Sequence, residues 1–232
     1  MSRSITATEI NGATTSYNVQ FPDECPVCHR HVSPTVLGAT ITASREEIQV
    51  VYRCTNDACD SVFIGIYAAG TYGYGLVRTT PTTPVNKEFE QTIYDLSPAF
   101  VKIYNQSIAA EAFELDQVVG IGLRKALEFL IKDFAIRQSP SKEKSIRQTS
   151  LSGVINGHIA DENLKKVAER ATWLGNDETH YERMWEEKDL KDLKRLIHLS
   201  VNLIDNVLTT EQYIESMPKP TKRDKALQTP AS

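Results

Sequence analysis

Four cysteines and one histidine-bearing turn hold the side chains of this 232-residue chain whose types and spacing could do chemistry. Cys25-Pro26-Val27-Cys28 is a thiol pair with two residues between, and Cys54-Thr55-Asn56-Asp57-Ala58-Cys59 is a pair with four between. Two such pairs, each in a turn between extended segments, form the ligand pattern of a zinc ribbon, in which strands bring four thiolates together around one tetrahedral ion. The reading is structural zinc on Cys25, Cys28, Cys54 and Cys59. His29 and His31 lie close enough to replace one thiolate, and buried or redox thiols are the remaining alternative. Catalytic zinc needs an open coordination position, which four thiolates do not leave. A thioredoxin-like role for Cys25 and Cys28 would need a βαβ context, which the pattern lacks.

The second candidate is Trp173-Leu174-Gly175-Asn176-Asp177-Glu178-Thr179-His180, where a helical pattern stops and polar residues with one imidazole follow. A purely structural use is open to it as well. Gly175 can close a helix in the left-handed conformation, Asn176 can satisfy free backbone groups, and His180 can hydrogen-bond across to a neighbouring helix.

The elements that must position these groups differ between the two halves. Around the cysteines, Glu47-Ile48-Gln49-Val50-Val51-Tyr52-Arg53 and residues 62–67 and 73–78 are rich in β-branched and aromatic residues and read as strands. Residues 4–19 add short β pieces around an Asn11-Gly12 turn. A segment of this size has too small a core to fold without a staple, so a small antiparallel zinc ribbon over residues 1–85 is the expectation. Its Arg30, Arg45 and Arg53 could face a phosphate chain or remain plain solvated surface. Thr79-Thr80-Pro81-Thr82-Thr83-Pro84 then marks a domain boundary, because each proline restricts itself and its predecessor.

Beyond it the periodicity is helical. Ser97 caps and Pro98 opens a helix running to about Leu115. Asp116 caps a second, whose Val119, Leu123, Ala126, Leu127, Leu130 and Phe134 form a wide apolar stripe. Gly120 and Gly122 inside it predict a close crossing with a neighbouring helix. Residues 139–150 read as an exposed basic loop and residues 151–155 as a helical turn. Asp161 caps a helix that ends at Gly175, and a final helix spans about residues 188–208. Residues 217–232, with four basic and one acidic side chain between Pro218 and Lys225, read as a disordered basic tail.

Composition sets outer bounds. At 41% apolar and 24% charged residues the chain can build a sizeable core, and a net charge of −4 argues against nucleic-acid binding through bulk electrostatics. The first residues carry no signal-peptide pattern and no run of about eighteen apolar residues spans a bilayer, so the expected location is cytoplasmic, with reduced thiols.

The run Gly120-Ile121-Gly122-Leu123-Arg124-Lys125-Ala126-Leu127-Glu128-Phe129-Leu130, followed by Leu174-Gly175-Asn176-Asp177-Glu178-Thr179-His180 and an apolar final helix, resembles the uncharacterised bacterial family 4145 among domains of unknown function, itself related to HEPN helical bundles. The resemblance covers about residues 100–208. It implies an α+β protein with an N-terminal zinc ribbon followed by an all-α bundle of four to five helices at residues 95–210. It also implies a homodimer, an RNA or DNA connection, and a protein partner in a phage-defence system. Catalytic HEPN proteins are metal-independent ribonucleases that use an arginine and a nearby histidine. Carried over, His180 would be the general acid or base, Asn176 a polar partner, and Arg170 the cation that stabilises phosphate charge. Nine residues separate Arg170 from His180, longer than the family spacing, and Arg183 after the histidine is the other candidate cation. The leading expectation is therefore a binding and dimerisation module, with the ribonuclease as its alternative.

Overall fold

The computed structural model describes residues 2–71, 73–178, 184–185 and 189–218. The chain divides into two compact units, Met1–Val85 and Asn86–Ser232.

The first unit is a closed barrel of six strands, not a small antiparallel ribbon. Strands β1 (Ser2–Thr8), β2 (Thr14–Gln20), β3 (Thr35–Ile41), β4 (Glu47–Arg53), β5 (Val62–Gly70) and β6 (Gly73–Thr80) are hydrogen-bonded in the order β1-β2-β6-β5-β4-β3. Hairpins account for most neighbours, with β1 on β2 from Ser2↔Gln20 to Thr8↔Thr14 and β4 on β5 from Glu47↔Ala68 to Arg53↔Val62. Closure comes from two parallel contacts, Thr8↔Thr40 between β1 and β3 and Val19↔Tyr74 between β2 and β6. Asn11-Gly12 does sit in the first hairpin loop, where Gly12 has φ +85° and the Asn11 side chain accepts from the Ala13 N–H at 2.8 Å.

Why the expectation of a small ribbon fails is visible in the side chains. Alternation along β4 points Ile48, Val50 and Tyr52 inward and Gln49 and Arg53 outward. Ile5, Ala7, Val19, Ala39, Ile41, Phe63 and Tyr67 complete one continuous core. Tyr52 and Tyr67 share a 2.7 Å hydroxyl contact inside it, and the Tyr67 hydroxyl donates to the Gln20 carbonyl at 2.9 Å, so their buried polar ends are satisfied. The unit thus owns a core larger than a ribbon can build.

The second unit contains α1 (Gln91–Leu96), α2 (Pro98–Ala112), α3 (Asp116–Gln138), α4 (Glu143–Gln148), α5 (Leu151–His158), α6 (Glu162–Asp177) and α7 (Leu190–Ser216), with a 3₁₀ turn at Pro140–Lys142. Seven helices stand among the described residues where four to five were expected. The extra ones are short: α4 occupies the stretch read as a basic loop, and it buries a single side chain, Ile146. Helix α3 runs through the middle, burying Val119, Leu123, Ala126, Leu127, Leu130, Ile131 and Phe134 against α2, α5, α6 and α7.

The helix starts follow the capping residues. The Ser97 hydroxyl accepts from the Phe100 N–H with Pro98 at the first position, and the Asp161 carboxylate accepts from the Leu164 N–H at 2.6 Å. Asp116 is the first helical residue and not the cap of α3. Helix α7 begins in a capping box formed by Asp189 and Asp192 and extends eight residues past the expected end at Leu208. The close crossing expected at the α3 glycines is present: a Cβ on Gly122 would overlap Ser107 of α2, and one on Gly120 would overlap Glu178. Gly175 differs from its expected role. It lies inside α6, buried, with a Cβ position only 2.8 Å from Arg124 Cβ, so its smallness serves helix packing and not a left-handed helix end. The basic tail expected at 217–232 lies outside the described residues from Lys219 onward.

Candidate metal centre

Two turns of the barrel unit build the site. The first, between β2 and β3, is zipped by the Glu24↔His31 bridge, with the Cys25 N–H donating to the Arg30 carbonyl at 3.1 Å and the His29 N–H to the Cys25 carbonyl at 2.9 Å. The second continues the β4–β5 ladder, where the Cys54 N–H donates to the Ser61 carbonyl at 2.9 Å, and turns on Asn56, whose carbonyl accepts from Cys59 and Asp60. Both turns share a local geometry despite their different lengths. The residue after the second cysteine of each has a left-handed backbone, His29 at φ +55° and Asp60 at φ +48°. A non-glycine residue there carries strain that neighbouring contacts must offset. Asp60 is held by two 2.6 Å bonds from Arg53, and His29 by donation from Nε2 to the Thr83 carbonyl at 2.7 Å.

These turns bring Cys25, Cys28, Cys54 and Cys59 together, with all four Sγ atoms within 4.8 Å of one another. Across the two turns, Cys25 and Cys59 are 3.9 Å apart and Cys28 and Cys54 3.8 Å apart. Four cysteines so arranged are positioned to bind one metal ion. The alternatives with histidine do not form: His29 faces Thr83 and Glu24, and His31 Nδ1 lies 3.3 Å from the Asp23 carbonyl oxygen.

The polar shell around the sulfurs is suited to negative charge. N–H groups of Val27 and Asn56 approach Cys25 and Cys54 at 3.4 Å, and the Asn56 side-chain amide donates to Cys28 at 3.6 Å. The Arg30 backbone N–H and then the Asn56 amide bring the Cys28 thiol down to about 6. Burial pushes Cys54 up to about 12 and raises Cys25. The buried thiols therefore wait for a cation before they ionise, which is the coupling of proton release to metal binding. Cys28 and Cys59 are half-buried and line an open pocket with Val27, Arg30, Asn56 and Ser61.

The second sequence candidate is placed less simply. Arg170 and Asn176 both sit on α6, six residues apart and on different sides of it. Arg170 lines a cavity with Trp173 and Trp185, whereas Asn176 lines a cleft with Ile121, Arg124 and Phe129 of α3. His180 and Arg183 lie outside the described residues. One contact that spacing along the chain could not disclose is Arg124 Nε donating to Asn176 Oδ1 at 2.6 Å, across 52 positions. Arg124 and Glu128, read as an exposed i,i+4 pair, are 3.6 Å apart, and Lys132 joins the same carboxylate at 2.7 Å.

A residue missed in the sequence is Asp177. It is buried, and its Oδ2 accepts from the backbone N–H groups of Met184 (3.0 Å) and Trp185 (2.8 Å). Nothing in the string Asn176-Asp177-Glu178 separates the buried carboxylate from its neighbours.

Among the described residues, no helix is long and apolar enough to cross a membrane. Comparison of the chain with protein-family models, curated proteins and solved structures returned no match.

Proposed function

We propose that the four-cysteine site holds one structural zinc ion and that the protein is a non-catalytic binding and dimerisation module of a nucleic-acid-linked, phage-defence type. The observation that carries the metal assignment is the sulfur geometry. Zn–S bonds of about 2.3 Å in a tetrahedron put the sulfurs about 3.8 Å apart; two of the four cross-turn separations are 3.9 and 3.8 Å, and all four Sγ atoms lie within 4.8 Å of one another. Bound there, zinc supplies folding free energy and a rigid link between the two turns. Cys25, Cys28, Cys54 and Cys59 together fill a tetrahedral set, which supports a structural over a catalytic use.

Arg45 is paired with Glu9 at 2.8 Å and Arg53 with Asp60 at 2.6 Å, so two of the three arginines that could have met a phosphate chain face carboxylates of their own unit. The dimer, the nucleic-acid setting and the defence setting rest on the resemblance of the helical half to family 4145 and the HEPN bundles. The ribonuclease alternative gains one observation, the Arg124 guanidinium on Asn176, which supplies a cation beside the motif from a distant helix.

Intact protein incubated with mixed RNA in the presence of chelator, beside a His180→Ala variant, separates the two readings. The expected result is no cleavage by either protein, with sedimentation showing a dimer. Cleavage by the wild type that the variant lacks would overturn the non-catalytic assignment, and a monomer at all concentrations would overturn the dimer.

A further inference from the structure

The cavity between α6 and α7 has about 390 Å³ of space, inside the range of roughly 300–1,000 Å³ typical of small-molecule sites. Its floor is apolar, from Leu174, Leu196 and Leu199. Its walls include both tryptophans of the chain, Trp173 and Trp185, whose rings are parallel to within 3° with centroids 6.3 Å apart. Each ring remains close to half exposed, at 44% and 45%. Two stacked indoles left this exposed are unusual, because each forgoes burial that packing against its own bundle would supply.

Trp185 is held in this position by a separate device. The Asp177 carboxylate stands at the C-terminal end of α6, where the helix dipole disfavours an anion, and it is 6% exposed. Its Oδ2 accepts the N–H groups of Met184 and Trp185, fixing the backbone that carries the second indole. The parallel rings are therefore a positioned pair.

The charges around the cavity select a ligand. Arg170 from α6 and Arg195 from α7 both line it; the Arg170 guanidinium lies over the Trp173 ring, 5.7 Å from its centroid, while its Nη1 donates to the Lys166 carbonyl at 2.8 Å. Among the described residues one carboxylate, Asp192, also lines it, and it accepts from the Asp189 N–H in the capping box of α7. Two guanidiniums against one carboxylate leave the described lining net positive, which favours an anion, and a planar carboxylate offers a guanidinium paired acceptors. An aliphatic anion would leave the parallel indoles unused.

We infer that the α6–α7 cavity is a binding site for a small planar aromatic carboxylate, whose ring lies along Trp173 and Trp185 and whose charge meets Arg170 and Arg195. This goes beyond the proposed binding and dimerisation role and does not depend on it.

The test is titration calorimetry on the full chain with 4-nitrobenzoate, its neutral analogue 4-nitrobenzamide, and cyclohexanecarboxylate. Tryptophan emission is followed in parallel, since both tryptophans line the cavity. 4-Nitrobenzoate is expected to bind and quench, with the amide and the non-aromatic acid each about tenfold weaker or more. Arg195→Gln is expected to weaken 4-nitrobenzoate about tenfold while leaving the amide unchanged, a split that misfolding would not produce. Trp185→Leu is expected to weaken both aromatic probes. Absence of binding by all three compounds at millimolar concentration, equal binding of the three, or an Arg195→Gln variant that binds 4-nitrobenzoate as the wild type does would overturn the inference.

Discussion

In the barrel, residues that must touch are distant along the chain, whereas in the bundle each helix prepares its own buried face before it meets a neighbour. Thr8 pairs with Thr40 and Val19 with Tyr74 to close the barrel, and its two cysteine turns are separated by β3 and β4. Helix α3, by contrast, carries Leu123, Leu127, Leu130 and Phe134 on one stripe set by the helical repeat. The barrel therefore depends on a few long-range closures, and a metal cross-link between its turns would join cysteines 26 and 34 positions apart, reducing the loop-closure entropy that folding must offset. The bundle depends on many side chains of similar weight.

The largest effect should separate the units. Removing the metal with chelator, or replacing Cys54 by Ser, is expected to disrupt the barrel while the far-ultraviolet helical signal of the bundle persists. Structural zinc contributes apparent binding energies of about 10–16 kcal/mol in small zinc-finger peptides, more than any single core side chain. Loss of helix and strand together under chelation would break the comparison.

Next comes the bundle core. Leu127→Ala, at a fully buried position of α3, should destabilise the helical unit by about 2–5 kcal/mol and leave the metal content of the chain unchanged. Denaturant unfolding followed by circular dichroism, with zinc release measured alongside, reads both quantities. Smaller still is the α2–α3 crossing. Gly122→Ala gains about 1 kcal/mol of helix propensity but drives a methyl group into Ser107, an overpacking cost of about 1–3 kcal/mol that leaves a net loss of up to about 2 kcal/mol. In a Ser107→Ala background part of that loss should return, and a double-mutant cycle with no coupling would refute the crossing.

The smallest effect lies at the end of α7. Gln138 first and Arg137 second hold the Glu211 carboxyl below its ordinary value. A depressed folded pKa contributes stability that is present above the unfolded pKa and lost as pH falls through the folded one. Glu211→Gln should therefore melt below the wild type at neutral pH, and the gap should shrink as the solution is acidified toward about pH 3. A gap that widens in acid would reverse the sign.

What was legible follows the same division. Capping at Ser97 and Asp161 and the stripe of α3 are local, and the chain displays them directly. The four cysteines were legible because metal ligands come as residue types with fixed spacing, and they do cluster. The barrel was misread as a ribbon because β3, Thr35-Val36-Leu37-Gly38-Ala39-Thr40-Ile41, has a glycine at its centre and a weak alternation, and the parallel closures leave no trace in either strand. Helix α4 escaped because six residues with one buried side chain have no period to detect. Gly175 was assigned to a helix end on its type alone, but the side chain it must avoid, Arg124, belongs to another helix. Asp177 and the Arg124–Asn176 contact are likewise properties of the folded neighbourhood.

The most direct test of the account is X-ray absorption at the metal edge of the intact protein, combined with elemental analysis. The expected result is about one zinc per chain, surrounded by four sulfur atoms at about 2.3 Å. A folded barrel without metal, or a zinc shell containing nitrogen or oxygen in place of a sulfur, would contradict it.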